Sequence, residues 1–364
     1  MTTVEDPSTD ATGSPQPVRR RDVRQLRQPV TVVVVLLFAL IGVPQLMSTY
    51  YVSAMTQATI YSIVALGLGL LVGRVGLVSL GQAAVLTIGA WVAARLLFAT
   101  SFPFELVLLI SGLVTMVLGT LVGLPALRMR GLYLALITLM LAGAITVALA
   151  TLNFPNGGGG FSGYNGALVH LPAIRRPGIA PHSSSFFRYS VIVAALMFAL
   201  VAVHLRGRPG RAWAAIRQSE AAAMAAGINT TLYKLWAFAL ASFVTGVAGG
   251  VLAGAAQYLY SINFQTQDSI TLLAVVMMGG VYNPWGAVVA GLLLKLLPAW
   301  FNNLGISEDW STILFGVGVL QVLTTAPAGI VDQLPKDVAR LARLIIRLFR
   351  RVFGPAAPTT GGAS

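Results

Sequence analysis

The groups in this 364-residue chain that could act as acids, bases or metal ligands are eleven carboxylates, three histidines and three lysines, and cysteine is absent. Glu5, Asp6, Asp10 and Asp22 sit in a polar N-terminal tail, and Glu105, Asp268, Glu308 and Asp309 at the ends of apolar stretches. Glu220, Asp332 and Asp337 fall between or after such stretches. None is central in an apolar run, whereas an ion-coupled pump passes protons through titratable groups at membrane depth. Lys295 is the one clearly intramembrane charge, read as a structural pair or a snorkelling side chain. His170, His182 and His204 show no metal-binding spacing, and no serine has a nearby His–carboxylate signature. Neither Lys234, Lys295 nor Lys336 follows the glycines of a phosphate loop, and Gly157–Gly160 is not followed by Lys-Ser/Thr. The expectation is a chain that hydrolyses no ATP itself, holds no cofactor or metal, and is not an enzyme.

The elements that carry these residues are apolar. Hydrophobic residues make up 56% of the chain and charged ones 10%, against about 25% charged in a soluble domain. Ten segments are candidates to cross a bilayer: Val30–Met47, Val52–Gly73, Leu77–Ala99, Phe104–Leu124, Leu132–Leu152, Tyr189–Leu205, Leu235–Tyr258, Ile270–Gly280, Ala287–Phe301 and Ile313–Thr325. The eighth and ninth are short, and the Gly279–Gly286 stretch between them, with Pro284, should break the helix. The reading is an all-α integral membrane protein of eight to ten transmembrane helices, some broken.

The formal net charge of +13 gathers at loops and ends, which fits membrane topology better than nucleic acid binding. With a cytoplasmic N-terminus and ten crossings, 19 of the 24 basic residues lie inside; Arg95, Arg175, Arg176, Arg188 and Lys295 are the others. Both termini then face the cytoplasm. Residues 1–29 read as a disordered tail with a basic membrane-proximal end, preceding a retained first span rather than a cleaved signal. Residues 30–330 form the membrane domain, with an external loop over 153–188 and an internal loop over 206–234. In the tail 331–364, Val338, Leu341, Leu344, Ile345, Leu348 and Val352 recur at helical spacing against an arginine face. That suggests a basic helix on membrane lipid, or one docked on another subunit.

The internal loop is the most informative segment. Arg211 to Ala226 is rich in alanine, a strong helix former, and Gly227 stands where a helix would stop. A short, rigid, weakly charged helix between two spans can dock in a soluble partner and pass on its movement; it could also be a plain connector.

This loop resembles the "EAA" coupling loop of ABC importer permeases, with Glu220-Ala221-Ala222 and Gly227 in matching roles and Arg211 at the start of the run. Four residues, not three, separate the triplet from the glycine, the form associated with branched-chain amino acid importers and their urea and amide relatives. Gly76-Leu77-Val78-Ser79-Leu80-Gly81-Gln82-Ala83-Ala84 resembles the family's Gly-Leu-x-Ser-x-Gly-Gln motif. Leu127-Arg128-Met129-Arg130-Gly131-Leu132-Tyr133-Leu134-Ala135 resembles its Arg-x-Arg-Gly-x-Tyr-x-Ala segment, and Asn229–Leu240 and Met278–Gly291 also fit. The resemblance covers roughly 50–330 with the motifs in order.

It implies a permease of the bacterial cytoplasmic membrane that moves hydrophobic amino acids by alternating access. Its partners would be two ATP-binding subunits, a second homologous permease and an external solute-binding protein, with ATP bound by the partners. Urea or a short amide is the alternative cargo. A self-sufficient secondary carrier or channel, or a membrane scaffold, is the rival from another class. Ser79, Gly81 and Gln82, with Tyr133 and Thr138, are the candidate substrate path. Gly-rich backbone there could unwind and offer free N–H groups to a carboxylate, or could simply let helices pack closely.

Overall fold

Long runs of Leu, Ala, Val and Ile leave the backbone one way to satisfy its hydrogen bonds in an apolar medium, and every regular element among the described residues is helical. The computed structural model describes residues 32–126, 131–151, 174–256, 259, 267–307, 309–325, 329–331 and 333. The 1–29 tail, Arg128 and Arg130, Gly157–Gly160 with His170, and the Lys336–Phe353 segment lie outside the described residues.

Twelve helices follow in order among them. They are α1 (Val32–Leu46), α2 (Thr49–Gly69, continued by a π-helical segment Leu70–Val75), α3 (Gln82–Ala99) and α4 (Phe104–Ala126). Next come α5 (Leu132–Thr151), α6 (Ser183–Arg206), α7 (Arg208–Gln218), α8 (Glu220–Ala225) and α9 (Thr230–Ala256). The last are α10 (Gln267–Gly279), α11 (Pro284–Asn303) and α12 (Asp309–Thr325). Each of the ten apolar segments is a helix, and six of them (α2, α3, α4, α6, α9 and α11) are long and apolar enough to cross a membrane.

Several boundaries differ from expectation for identifiable reasons. The third span does not begin at Leu77. Gly76 takes a left-handed φ of 83° and ends the π-helical segment, and the chain runs without helix to Gly81. Span six begins at Ser183, inside the expected external loop, because Ser185 and His182 close a capping box there. The break between α10 and α11 falls where Gly and Pro placed it: Asn283 Oδ1 accepts from the Trp285 N–H at 3.1 Å, with Pro284 in the first turn.

The core is built round α9, which packs on α2, α3 and α4, while α11 packs on α2. Small residues set how close these helices come. A Cβ on Gly89 would stand 2.6 Å from the Gly246 carbonyl oxygen, so α3 and α9 touch backbone to backbone. The wholly buried Ser111 of α4 has its hydroxyl 2.7 Å from the Gly89 carbonyl and 3.0 Å from that of Gly246, and its single proton serves both helices.

At one end of the bundle lie α7, α8, the π-helical end of α2 and the α10–α11 turn; we call this the coupling end. At the opposite, distal end, Arg175 Nη2 donates to the carbonyls of Leu97 at 3.2 Å and Thr100 at 3.1 Å, closing the loop before α6 over the end of α3.

Candidate coupling surface and substrate path

The expected single helix Arg211–Ala226 is two. Gln218 ends α7, Ser219 is extended (φ −159°, ψ 117°), and α8 starts at Glu220. Ser219 caps α8, its Oγ accepting from the Ala222 N–H at 3.2 Å. A serine three residues before the alanine it caps is a readable start signal, masked in the sequence by the alanines on either side. Gly227 then stops α8 at φ 78°. Its N–H donates to Met224 O at 2.9 Å and that of Ile228 to Ala223 O at 3.0 Å, the paired bonds of a Schellman stop.

What holds this hairpin is mostly residues the sequence reading did not single out. Trp213, Ile216 and Ala212 form the buried face of α7. The fully buried Trp213 donates its indole N–H to Tyr233 O at 2.8 Å, fixing α7 to the start of α9. Glu220 pairs with Lys234 at 2.6 Å, so its carboxylate ties α8 to α9 instead of standing free. Arg217 donates to the Gly73 carbonyl in the π-helical segment and lies 4.4 Å over the Tyr282 ring. Arg74 Nη2 donates to Tyr282 O at 2.8 Å. The hairpin is thus wired to the ends of α2 and α10. Facing outward are Arg211, Ala221, Ala222 and Gly227, with Met224 53% exposed. The result is a small, nearly uncharged knob on a braced support.

The motif Gly76–Gln82 leads from this brace into the membrane core. Ser79, Gln82 and Thr138 are all buried. Backbone amides in the unwound stretch are satisfied within the protein: Leu80 N–H donates to Thr138 Oγ1 at 2.9 Å, and Gly81 N–H to Ser79 Oγ at 3.3 Å. Those N–H groups therefore do not reach out for a carboxylate in this structure. Gln82 Oε1 accepts from the buried Thr245 hydroxyl at 2.8 Å, joining α3 to α9. Ser79, Gly81, Gln82 and Thr138 line one cavity of about 20 Å³ with Ser242 and Phe238, room for roughly one water. Tyr133 does not join them. It lies on the outer face of α5, 70% exposed, because it is one residue out of phase with the buried stripe Leu134, Thr138 and Ala142. Thr245 and Ser242 were missed; both sit in an apolar helix where only the burial pattern marks them.

Residues 50–323 match the family model described as branched-chain amino acid transport system / permease component. The chain is 28% identical over 318 residues to the "High-affinity branched-chain amino acid transport system permease protein LivM" of Salmonella typhimurium, covering 82% of this chain and 74% of that protein. It is 28% identical over 332 residues to the protein of the same name from Escherichia coli, covering 86% of this chain and 77% of that one. No solved structure matches the chain. A multi-span helical membrane protein whose matched region takes in both the braced hairpin and the unwound motif, this chain belongs to the family of branched-chain amino acid transport system permease components.

Proposed function

We propose that this chain is a permease subunit of an ABC importer of the bacterial cytoplasmic membrane. It carries hydrophobic, branched-chain amino acids by alternating access, with two partner ATPases, a second homologous permease and an external solute-binding protein. The coupling end faces the cytoplasm. Supporting that orientation, Arg74, Arg206, Arg208, Arg211, Arg217 and Lys234 gather there. The observation that carries the reading is the outward knob Ala221–Gly227. It offers a partner a small apolar surface, while Trp213, Arg217 and Glu220 route any push on it into α9, α2 and the α10–α11 turn. The one-water cavity at Gln82 corresponds to a closed path, which opening of the bundle would widen for an aliphatic zwitterion.

The direct test is reconstitution. Liposomes holding the chain with its companion permease and ATPases, supplied with the binding protein, take up leucine only with ATP inside; the chain alone takes up none. Concentrative uptake by the chain alone on an ion gradient would sink the reading, and competition by excess urea but not isoleucine would move the cargo to the amide class.

Two variants probe the parts. No atom lies within 4 Å of a Cβ added at Gly227, so Gly227→Val meets only the left-handed backbone penalty, roughly 1–2 kcal/mol. It is expected to insert and assemble while ATP hydrolysis proceeds with little uptake, and Gly227→Asn should keep most of the coupling. Unchanged uptake in the valine variant would make the loop a connector. Gln82→Ala leaves the buried Thr245 hydroxyl without its acceptor, a destabilisation of about 1–3 kcal/mol. Uptake at low substrate is expected to fall about tenfold with assembly retained, and wild-type uptake would remove Gln82 from the path.

A further inference from the structure

A cavity of about 330 Å³ near the distal end lies among α2, α6, α9 and α11. That is ample for an amino acid, whereas the Gln82 cavity is not. Its polar lining comes from Ser53, Thr56, Gln57 and Ser183, and its two charges are Arg176 and Lys295. Both are cations, and among the described residues no carboxylate lines the cavity. Asp268 lines a separate small cavity that shares only Tyr61 with this one.

Each cation is held by soft contacts. Arg176 donates to the carbonyls of Gly254 at 3.3 Å and Pro181 at 3.4 Å and lies 5.1 Å over the Phe186 ring. Burial lowers its pKa from the usual arginine value, but a guanidinium keeps its charge in proteins. The Lys295 ammonium lies 4.5 Å over the Tyr61 ring. Lys295 thus stands over an aromatic ring on a cavity wall.

Two positive charges, one from a loop and one from α11, on one cavity that also carries hydroxyls, recognise an anion. Arg176 and Ser183, in the loop before α6 and at its first residue, place this lining at the distal end. Resting on the function proposed above, we infer that this cavity is the entry subsite for the transported amino acid. Lys295 and Arg176 hold its carboxylate, Ser53, Thr56 and Gln57 face its ammonium, and Leu252, Leu259 and Phe186 receive the aliphatic side chain.

Because the native chain contains no cysteine, a Gln57→Cys variant carries a single thiol in the cavity. The full-length protein in phosphatidylcholine nanodiscs is treated with an anionic methanethiosulfonate bearing a sulfonate, and with a neutral one of similar size. The anionic reagent is expected to react faster. The anionic-to-neutral rate ratio should fall about tenfold when Lys295→Met is added and persist with Lys295→Arg. L-Leucine and 4-methylpentanoate should slow labelling, and leucinol, which lacks the carboxylate, should not. A ratio that Lys295→Met leaves unchanged, or equal protection by leucine and leucinol, overturns the subsite. So does protection by added phosphatidylglycerol with none by leucine, which would make the occupant a lipid headgroup. Leucine uptake by the assembled importer separates this failure from that of the function: uptake with no anion preference sinks the subsite alone, and absent uptake sinks the transport reading.

Discussion

Trp213→Ala abolishes leucine uptake by the assembled importer while its ATPase activity continues, measured side by side on the same proteoliposomes. The indole is fully buried between α7 and the start of α9, and its N–H reaches Tyr233 O at 2.8 Å. Removing a buried tryptophan destabilises by about 3–5 kcal/mol. Here that loss falls on a two-helix element whose other ties to the bundle are the Glu220–Lys234 pair and Arg217. Those polar ties are only partly buried, and a single ion pair or hydrogen bond of that kind contributes less than the lost packing. The knob would still present its alanines to a partner but would swing without moving α9. Trp213→Phe keeps most of the packing and loses the hydrogen bond, so intermediate uptake is expected. If Trp213→Ala transports normally, force does not pass through α7.

Gly246→Leu prevents the bundle from forming. A Cβ at this position would lie 2.7 Å from Thr115 Cβ and 3.0 Å from Ser111 O, with Thr115 Oγ1 closer still. Leucine adds three more carbons where α3, α4 and α9 already touch, and none of these backbones can yield alone. The measurement is the yield of monodisperse protein in size-exclusion chromatography after detergent extraction, expected to fall to near background. Gly316→Leu on α12 is the control, since no atom lies within 4 Å of its added Cβ; it should extract like the parent. Normal yield from Gly246→Leu would mean that α4 and α9 do not pack this closely at Gly246.

Hydrophobic runs made the ten helices legible, because a charge-free stretch of about 20 residues has few other fates. Their ends were less so. The sequence reading extended span three back to Leu77 because Leu77 and Val78 are apolar, but Gly76 turns left-handed there and the helix waits for Gln82. The alanines of 212–226 concealed the break at Ser219, since propensity ran uniformly high across a residue whose side chain does the interrupting. Ser79, Gln82 and Thr138 were found because polar residues in apolar surroundings stand out; Thr245 and Ser242 stand out as little as any helix hydroxyl. Tyr133 fell inside a motif yet points away from the cavity, because a motif gives spacing and not phase. Lys295 was visible as an oddity, while its partner across the cavity, Arg176, arrives from a loop 119 positions earlier. No local pattern foretells such a meeting.

The backbone contacts among α3, α4 and α9 have a kinematic consequence. Where long side chains interdigitate, a rotamer change can let one helix slide past another. Where Gly89 meets Gly246, there is no side chain to rearrange, and the Ser111 hydroxyl pins both carbonyls at once. These three helices therefore travel as a single rigid body, and any joint between inward-open and outward-open shapes must be sought outside that triad.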